Sequence, residues 1–361
     1  MIYCSYPLAQ YLSYKDEIQT AIKNVLDGGA YILGDEVRRF ENNFASYCQA
    51  SHGIGVNSGT DALIIALKVL GIKAGDEVIT TSHTALATVA AIIAAGATPV
   101  LCDIESDNYT IDTKKIKNLI TKKTKVLIAV HIYGQPVDMD EIMNIASEHN
   151  LKVIEDCAQS TGGFYKGRRL GTIGDIGCFS FYPTKNLGAL GDAGMLITNH
   201  PEMADKMSAI RQYGWDRARQ TLAPGINSRL DEIQAAVLNV KLKYLDDDNK
   251  KRQKIAEYYS LALMGKVVKV PKLKLRQESV FHLYVIEVED RDRVKNKLEN
   301  NNIYPGIHYE KPVHEHKGYS SYCKVPAEGL SVTESIAKRI LSLPIYPELG
   351  EKDVERIISL F

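Results

Sequence analysis

The sequence has no surplus of charge, no apolar run long enough to span a bilayer and no paired cysteine motif, and each absence removes a class of function. Lys and Arg together number 44, as do Asp and Glu. A chain without a net field is not drawn as a whole to nucleic acid, membrane or another polyanion, so any anion site must be local. The first residues, Met1-Ile2-Tyr3-Cys4-Ser5-Tyr6, carry neither a basic segment nor the apolar stretch of a secretion signal, and a cytoplasmic protein is expected. Six cysteines, at 4, 48, 102, 157, 178 and 323, form no C-x-x-C pair and no dense framework. Reduced, mostly buried thiols are expected, with neither disulfides nor a bound metal.

At 361 residues the chain is long enough for two domains. Helical periodicity runs from Ser13 to Leu26 and from Asp35 to Tyr47. From Glu77 onward strand-like runs (Val78–Thr81, Pro99–Ile104, Val126–Tyr133, Val153–Cys157) alternate with helical ones (Thr88–Ala95, Ile116–Ile120, Met139–His149). That alternation predicts an α/β fold with a mostly parallel sheet covered on both faces, whose ligands collect at the carboxyl ends of strands. A helix is expected to start at Asn227 or Ser228 and run to about Leu245, joining two domains. The run Asp246-Asp247-Asp248 with Lys250-Lys251-Arg252 reads as a solvated helical face. From there the elements shorten and look antiparallel, which predicts a large domain over 1–245 and a smaller C-terminal α/β domain over 246–361.

Lys185 stands between two apolar runs, in Phe179-Ser180-Phe181-Tyr182-Pro183-Thr184-Lys185-Asn186, and is followed by three glycines before Met195. Such a lysine is either a solvated loop residue or a desolvated amine with a lowered pKa, the usual nucleophile toward an aldehyde such as pyridoxal 5'-phosphate (PLP). The turn Asn57-Ser58-Gly59-Thr60 precedes a helical run. It is either a plain N-cap or a phosphate site, with Gly59 admitting close approach and the Ser58 and Thr60 hydroxyls adding hydrogen bonds. Asp156 ends the strand Val153–Cys157 and either caps or pairs locally, or keeps a pyridine nitrogen protonated. Glu155 alternates to the opposite face, and Gln159 lies near enough to reach a ring oxygen. His83, after another strand, either lies over a bound ring or caps the next helix. His131 leaves structural and functional readings equal. His308 and Tyr309 follow a tight turn and suit substrate contact or core packing.

Taken together, G-V-N-S-G-T-D-A-L, V-I-E-D-C-A-Q-S, F-S-F-Y-P-T-K-N-L-G-A-L-G-D-A-G and G-I-N-S-R-L-D-E-I-Q-A-A resemble, in order and spacing, the DegT/DnrJ/EryC1/StrS family of nucleotide-sugar aminotransferases over essentially the whole chain. The resemblance implies an aspartate-aminotransferase-like fold (fold type I), PLP as cofactor, L-glutamate as amino donor, and a homodimer with active sites at the subunit interface. It implies Lys185 as the Schiff-base lysine, Asp156 as the pyridinium partner and Gln159 facing the ring hydroxyl. Gly59, Thr60 and Ser180 would hold the phosphate, with Asn227 reaching it from the second subunit.

The segments Thr80–Thr88 and Tyr304–Tyr309 are similar to the subgroup that aminates C3 of dTDP-3-keto-6-deoxyhexoses. There Tyr182, His308 and Tyr309 would face the nucleotide-sugar, and a basic residue of the neighbouring subunit, Arg217 or Arg219, would meet its diphosphate. Ala85 stands where many relatives carry an aromatic, which leaves His83 as the candidate to stack on the ring. Three rivals are kept. They are a 4-aminotransferase acting on a 4-keto nucleotide sugar, a C3 dehydratase of the same fold with histidine in place of Lys185, and a non-catalytic PLP-binding regulatory protein.

Overall fold

The computed structural model describes residues 1–216, 218–221, 223–271 and 279–361. Its centre is a seven-stranded sheet of β1 (His52–Val56), β2 (Glu77–Thr81), β3 (Thr98–Cys102), β4 (Thr124–Val130), β5 (Lys152–Asp156), β6 (Ile176–Ser180) and β7 (Gly194–Thr198). The spatial order is β1-β7-β6-β5-β4-β2-β3, and all neighbours are parallel except β7, which runs against both β1 and β6. After β2 the chain steps outward to β3 and then returns to the other side of β2 for β4. That reversal is where an open α/β sheet leaves a crevice at its strand ends.

Consecutive strand residues feed opposite faces, as the period of two requires. Ile79, Leu127, Val153, Phe179 and Ile197 join one core, with Phe40 and Phe44 of helix Asp35–Cys48 and Ile142 and Ile145 of helix Met139–His149. Val78, Ile128, Ile154, Cys178 and Leu196 join the other, with Leu63 and Leu67 of helix Gly59–Val69 and Met207 of helix Pro201–Ile210. A third core gathers Tyr259, Phe281, Tyr284, Leu341, Leu343 and Ile357 around the antiparallel pair Tyr284–Glu287 and Ile340–Leu343. Ile2 belongs to this core, because Ile2–Tyr3 pairs in parallel with Ile303–Tyr304.

Two helical expectations change. The helix anticipated from Asn227 begins at Glu232, with Asp231 as its N-cap, and stops at Leu242. Ser228 does not cap it, because its hydroxyl donates to Asp61 Oδ2 (2.7 Å) and accepts from the Asn57 N–H (3.1 Å). The longer helix is Leu245–Leu263, and its polar run is not solvated throughout. Asp248, Asn249 and Arg252 are buried with Leu245 and Ala256 on one face, at the i, i+3, i+4 spacing of an inward stripe. Their partners explain the burial: Tyr14 Oη on Asp248 at 3.0 Å, the Asn249 amide on Thr161 O at 3.1 Å, and Arg252 Nη1 on Ile345 O at 2.9 Å.

Candidate active site

At the carboxyl end of the sheet lies a cleft of about 240 Å³. The turn after β1 supplies Ser58, Gly59 and Thr60, the segment after β2 supplies Thr84 and Ala85, and β5 ends in it with Asp156, followed by Gln159. β6 ends in Ser180, and the segment following it brings Tyr182 and Lys185. Residues more than 120 positions apart in sequence therefore share one wall. A larger cavity of about 640 Å³, lined by Glu105, Asp107, Asp138 and Lys166, includes none of them, so size alone does not select the site.

The floor is built by close backbone approach. Ser58 caps the eleven-residue helix Gly59–Val69, accepting from Asp61 N–H at 3.1 Å. A Cβ on Gly59 would stand 2.7 Å from Ser180 Cβ, so only glycine lets the helix start lie against the end of β6. The result is a cup with free N–H groups and the positive helix end at its base, the arrangement that holds a phosphate.

Across from it stand the amine and the acid. Lys185 is half-buried on the cleft, and among the described residues its amine forms no hydrogen bond. Burial pushes it down from 10.5 to about 8, with the charge of Asp156 pulling the other way. Asp156 accepts from Thr88 Oγ1 at 2.9 Å and from Ala158 N–H at 3.1 Å. Burial raises its carboxyl above the usual range, although Thr88, Ala158 and Lys185 all favour the charged form. Thr88 is itself linked to Thr84 Oγ1 at 2.8 Å. Sequence reading gave no role to this relay; its signal was two threonines four apart at the start of a helix.

The other anticipated residues are spread from the mouth of the cleft to the layers behind it. Gln159 accepts from Tyr133 N–H at 2.7 Å and donates to Tyr309 Oη at 2.9 Å, which ties Tyr309 to a side chain that lines the cleft. His83 is buried and does not line the cleft; its Nε2 is bonded to Tyr133 Oη and its Nδ1 has no partner among the described residues, and burial pushes it down to about 4. The Tyr133 hydroxyl also donates to the His308 carbonyl, and His308 Nδ1 lies 2.9 Å from Ser342 Oγ. Tyr182 is 52% exposed at the mouth. Asn227 does not line this cleft but bridges to Gln212. Arg219 lies over the Trp215 ring, 5.7 Å from its centroid, in a separate cavity that includes Arg229. Arg217 lies outside the described residues.

Glu155, one residue before Asp156, faces away. Its oxygens accept from the N–H groups of Gly171 (2.8 Å), Ile173 and Gly174 (both 2.7 Å), and His131 Nε2 lies 3.1 Å away. With Cys157 these side chains bring potential metal ligands within 4.8 Å. Every carboxylate oxygen is already engaged, however, and His131 Nδ1 accepts from Val137 N–H at 3.1 Å, so the cluster is a closed hydrogen-bond network that anchors the loop before β6.

Residues 13–361 match the DegT/DnrJ/EryC1/StrS aminotransferase family. A dTDP-3-amino-3,6-dideoxy-alpha-D-galactopyranose transaminase of Aneurinibacillus thermoaerophilus is 46% identical over 348 residues, which is 96% of this chain and 95% of that protein. Among solved structures, S. venezuelae DesV in complex with a ketimine intermediate has a TM-score of 0.96 at 41% identity, covering 99% of this chain and 97% of that one. The structure of ntdA from Bacillus subtilis with bound cofactor PMP has a TM-score of 0.89 at 32% identity, covering 96% and 81%. The α/β architecture expected from the sequence is shared with these proteins.

Proposed function

This chain belongs to the DegT/DnrJ/EryC1/StrS aminotransferase family, and we propose that it transfers an amino group from L-glutamate to C3 of a dTDP-3-keto-6-deoxyhexose, giving the 3-amino-3,6-dideoxy sugar nucleotide and 2-oxoglutarate. It is a PLP-dependent aminotransferase. The substrate assignment is supported by the Aneurinibacillus relative, whose name specifies a dTDP-3-amino-3,6-dideoxy sugar. The observation that carries the catalytic reading is the Lys185 amine, without a hydrogen bond among the described residues and lowered to about 8 by burial, sharing a cleft with Asp156.

The residues present fit the cofactor. A cup that a Gly59 Cβ would fill suits the phosphate, with Thr60 and Ser180 beside it, and an under-neutralised buried carboxylate suits a protonated ring nitrogen. When bound, PLP supplies the electron sink that stabilises a carbanion at the carbon losing its proton. Lys185, lowered to about 8, has a minor fraction of neutral amine near neutral pH and would hold the cofactor's aldehyde carbon and move the proton at the donor's Cα. Asp156, held by Thr88 and Ala158, would hold the proton on the ring nitrogen. Gln159 orients Tyr309, and Tyr182, His308 and Tyr309 are assigned to the sugar nucleotide.

We assign the working form to a cytoplasmic homodimer in which Asn227 and Arg219 serve the neighbouring copy's site. Support comes from six free cysteines and from exposed apolar Tyr31, Ile32 and Tyr213 near the Trp215 cavity. In this reading residues 1–245 build the cofactor site and residues 246–361 cover it.

The test is an assay of the purified protein with L-glutamate against dTDP- and UDP-linked 3-keto and 4-keto sugars, with the aminated carbon read by NMR. Amination at C3 of the dTDP sugar is expected. Amination at C4, or of UDP sugars alone, would replace the substrate assignment, and no transfer with any of them would favour the regulatory reading.

A further inference from the structure

Lys185 sits in a tight loop between Pro183 and Gly188, held to its own ends by Lys185 N–H on Tyr182 O and Ala189 N–H on Phe181 O, both 2.8 Å. The loop turns so sharply that a Cβ on Gly188 would lie 2.4 Å from Pro183 O. Its placement therefore depends on what grips its carbonyls and the Asn186 side chain.

Beneath it is a fully buried lysine. Lys241, on helix Glu232–Leu242 and 2% exposed, donates from Nζ to Gly188 O at 2.7 Å and to Gln10 Oε1 at 2.9 Å. Gln10, 6% exposed on helix Pro7–Ser13, passes the contact on through Nε2 to Asn186 O at 3.4 Å. The Asn186 amide is tied to Asn249 Oδ1 (2.8 Å) and Val280 O (3.0 Å). Among the described residues no carboxylate is within ion-pair distance of Lys241, and burial pushes its amine down to about 8 against the distant charges of Glu348 and Asp248. A buried ammonium on neutral acceptors is costly, and a methionine of similar length would fill the space without that cost. What the amine adds is its grip on the loop.

We propose that Lys241, directly through Gly188 O and through Gln10 to Asn186 O, is a positioning residue that sets where the Lys185 amine stands, which makes the N-terminal helix Pro7–Ser13 part of the active-site framework. The proposal rests on the reading of Lys185 as the reacting amine. Releasing either carbonyl lets the loop relax and the Lys185 amine gain water, and a displacement of about an ångström at a reacting group is enough to cost roughly 100-fold in rate.

The test compares wild type with Lys241→Met and Gln10→Leu, full length, by two readouts. In the cofactor-free protein, the pH dependence of Lys185 acylation is followed by peptide mass spectrometry. The midpoint is expected to rise by about one pH unit in Lys241→Met, toward the ordinary lysine value, and by less in Gln10→Leu. In the holoenzyme, kcat per bound cofactor should fall roughly 10- to 100-fold, with KM for both substrates within about twofold. An unchanged Lys185 midpoint, or a loss of activity that only follows cofactor occupancy, would overturn the proposal. If Lys241→Met does not fold, Gln10→Leu decides on the same criteria. If wild type aminates no keto sugar, the functional reading fails while the acylation midpoint still decides this one.

Discussion

Glu155 and Asp156 are neighbours at the end of one strand, both buried, yet they face two regions with opposite chemistry. On the Glu155 side three backbone N–H groups and His131 surround the carboxylate, and these contacts outweigh burial, so its pKa falls. On the Asp156 side one hydroxyl and one N–H are present, burial wins, and the pKa rises. A satisfied buried charge is structure, whereas one left short of partners is a socket awaiting a cation. The same contrast separates two lysines: buried Lys241 spends donors on carbonyl oxygens, and half-buried Lys185 gives none of its own to the described residues.

Substitutions can break or sharpen that contrast. Lys185→Ala should lower turnover by more than about 10⁴-fold without loss of fold, checked by single-turnover assay and by the absence of a borohydride-reducible link to the protein; normal transamination would sink the assignment. Asp156→Asn should cost roughly 10²- to 10⁴-fold in kcat with an unchanged melting temperature, and near-normal kinetics would mean another group protonates the ring. Glu155→Gln must do the reverse. Its amide would face backbone donors, and denaturant unfolding should show a loss of about 2–4 kcal/mol while kcat per folded molecule stays within about threefold.

Thr88→Val should lower kcat about tenfold. Removing a donor to the carboxylate favours its protonated form, so the acid limb of the rate profile should move to higher pH. The smallest effect concerns Lys185→Met in cofactor-free protein. Wild type must keep a buried ammonium below pH about 8, and that cost disappears as pH rises toward 10.5. The variant should therefore be more stable by roughly 1 kcal/mol at pH 7, the half-exposure of Lys185 reducing the full shift, and the gain should vanish in urea titrations above pH 10.5.

The chemistry-bearing stretches were legible because their signals are local. An apolar strand ending in Asp156, a small polar turn before a helix at Ser58–Thr60 and a lone lysine ahead of glycines need no knowledge of neighbours. Misreadings arose where a polar group is used across the fold. Ser228 looked like an N-cap and instead holds Asp61, and Asp248 and Arg252 looked solvated and instead meet Tyr14 and the Ile345 carbonyl, while Lys250 and Lys251 between them are exposed. His83, for which a place over a ring and a cap on the next helix were both open, has its Nε2 on Tyr133 Oη, a partner 50 residues away that no local signal announces. The strand Ile340–Leu343, between the two closing helices, went unread because a short buried run carries no periodicity of its own.

By itself the sequence determined the alternation of strands and helices, and which amine, acid and helix start could serve a cofactor, since these follow from residue type and spacing along the chain. Only the tertiary structure decided which of them are left without partners. Whether a buried carboxylate or amine is satisfied depends on groups brought from far along the chain, such as Gly171 to Glu155 or Gln10 to Lys241, and that distribution of hydrogen bonds is what separates Lys185 and Asp156, which share the cleft, from Lys241 and Glu155.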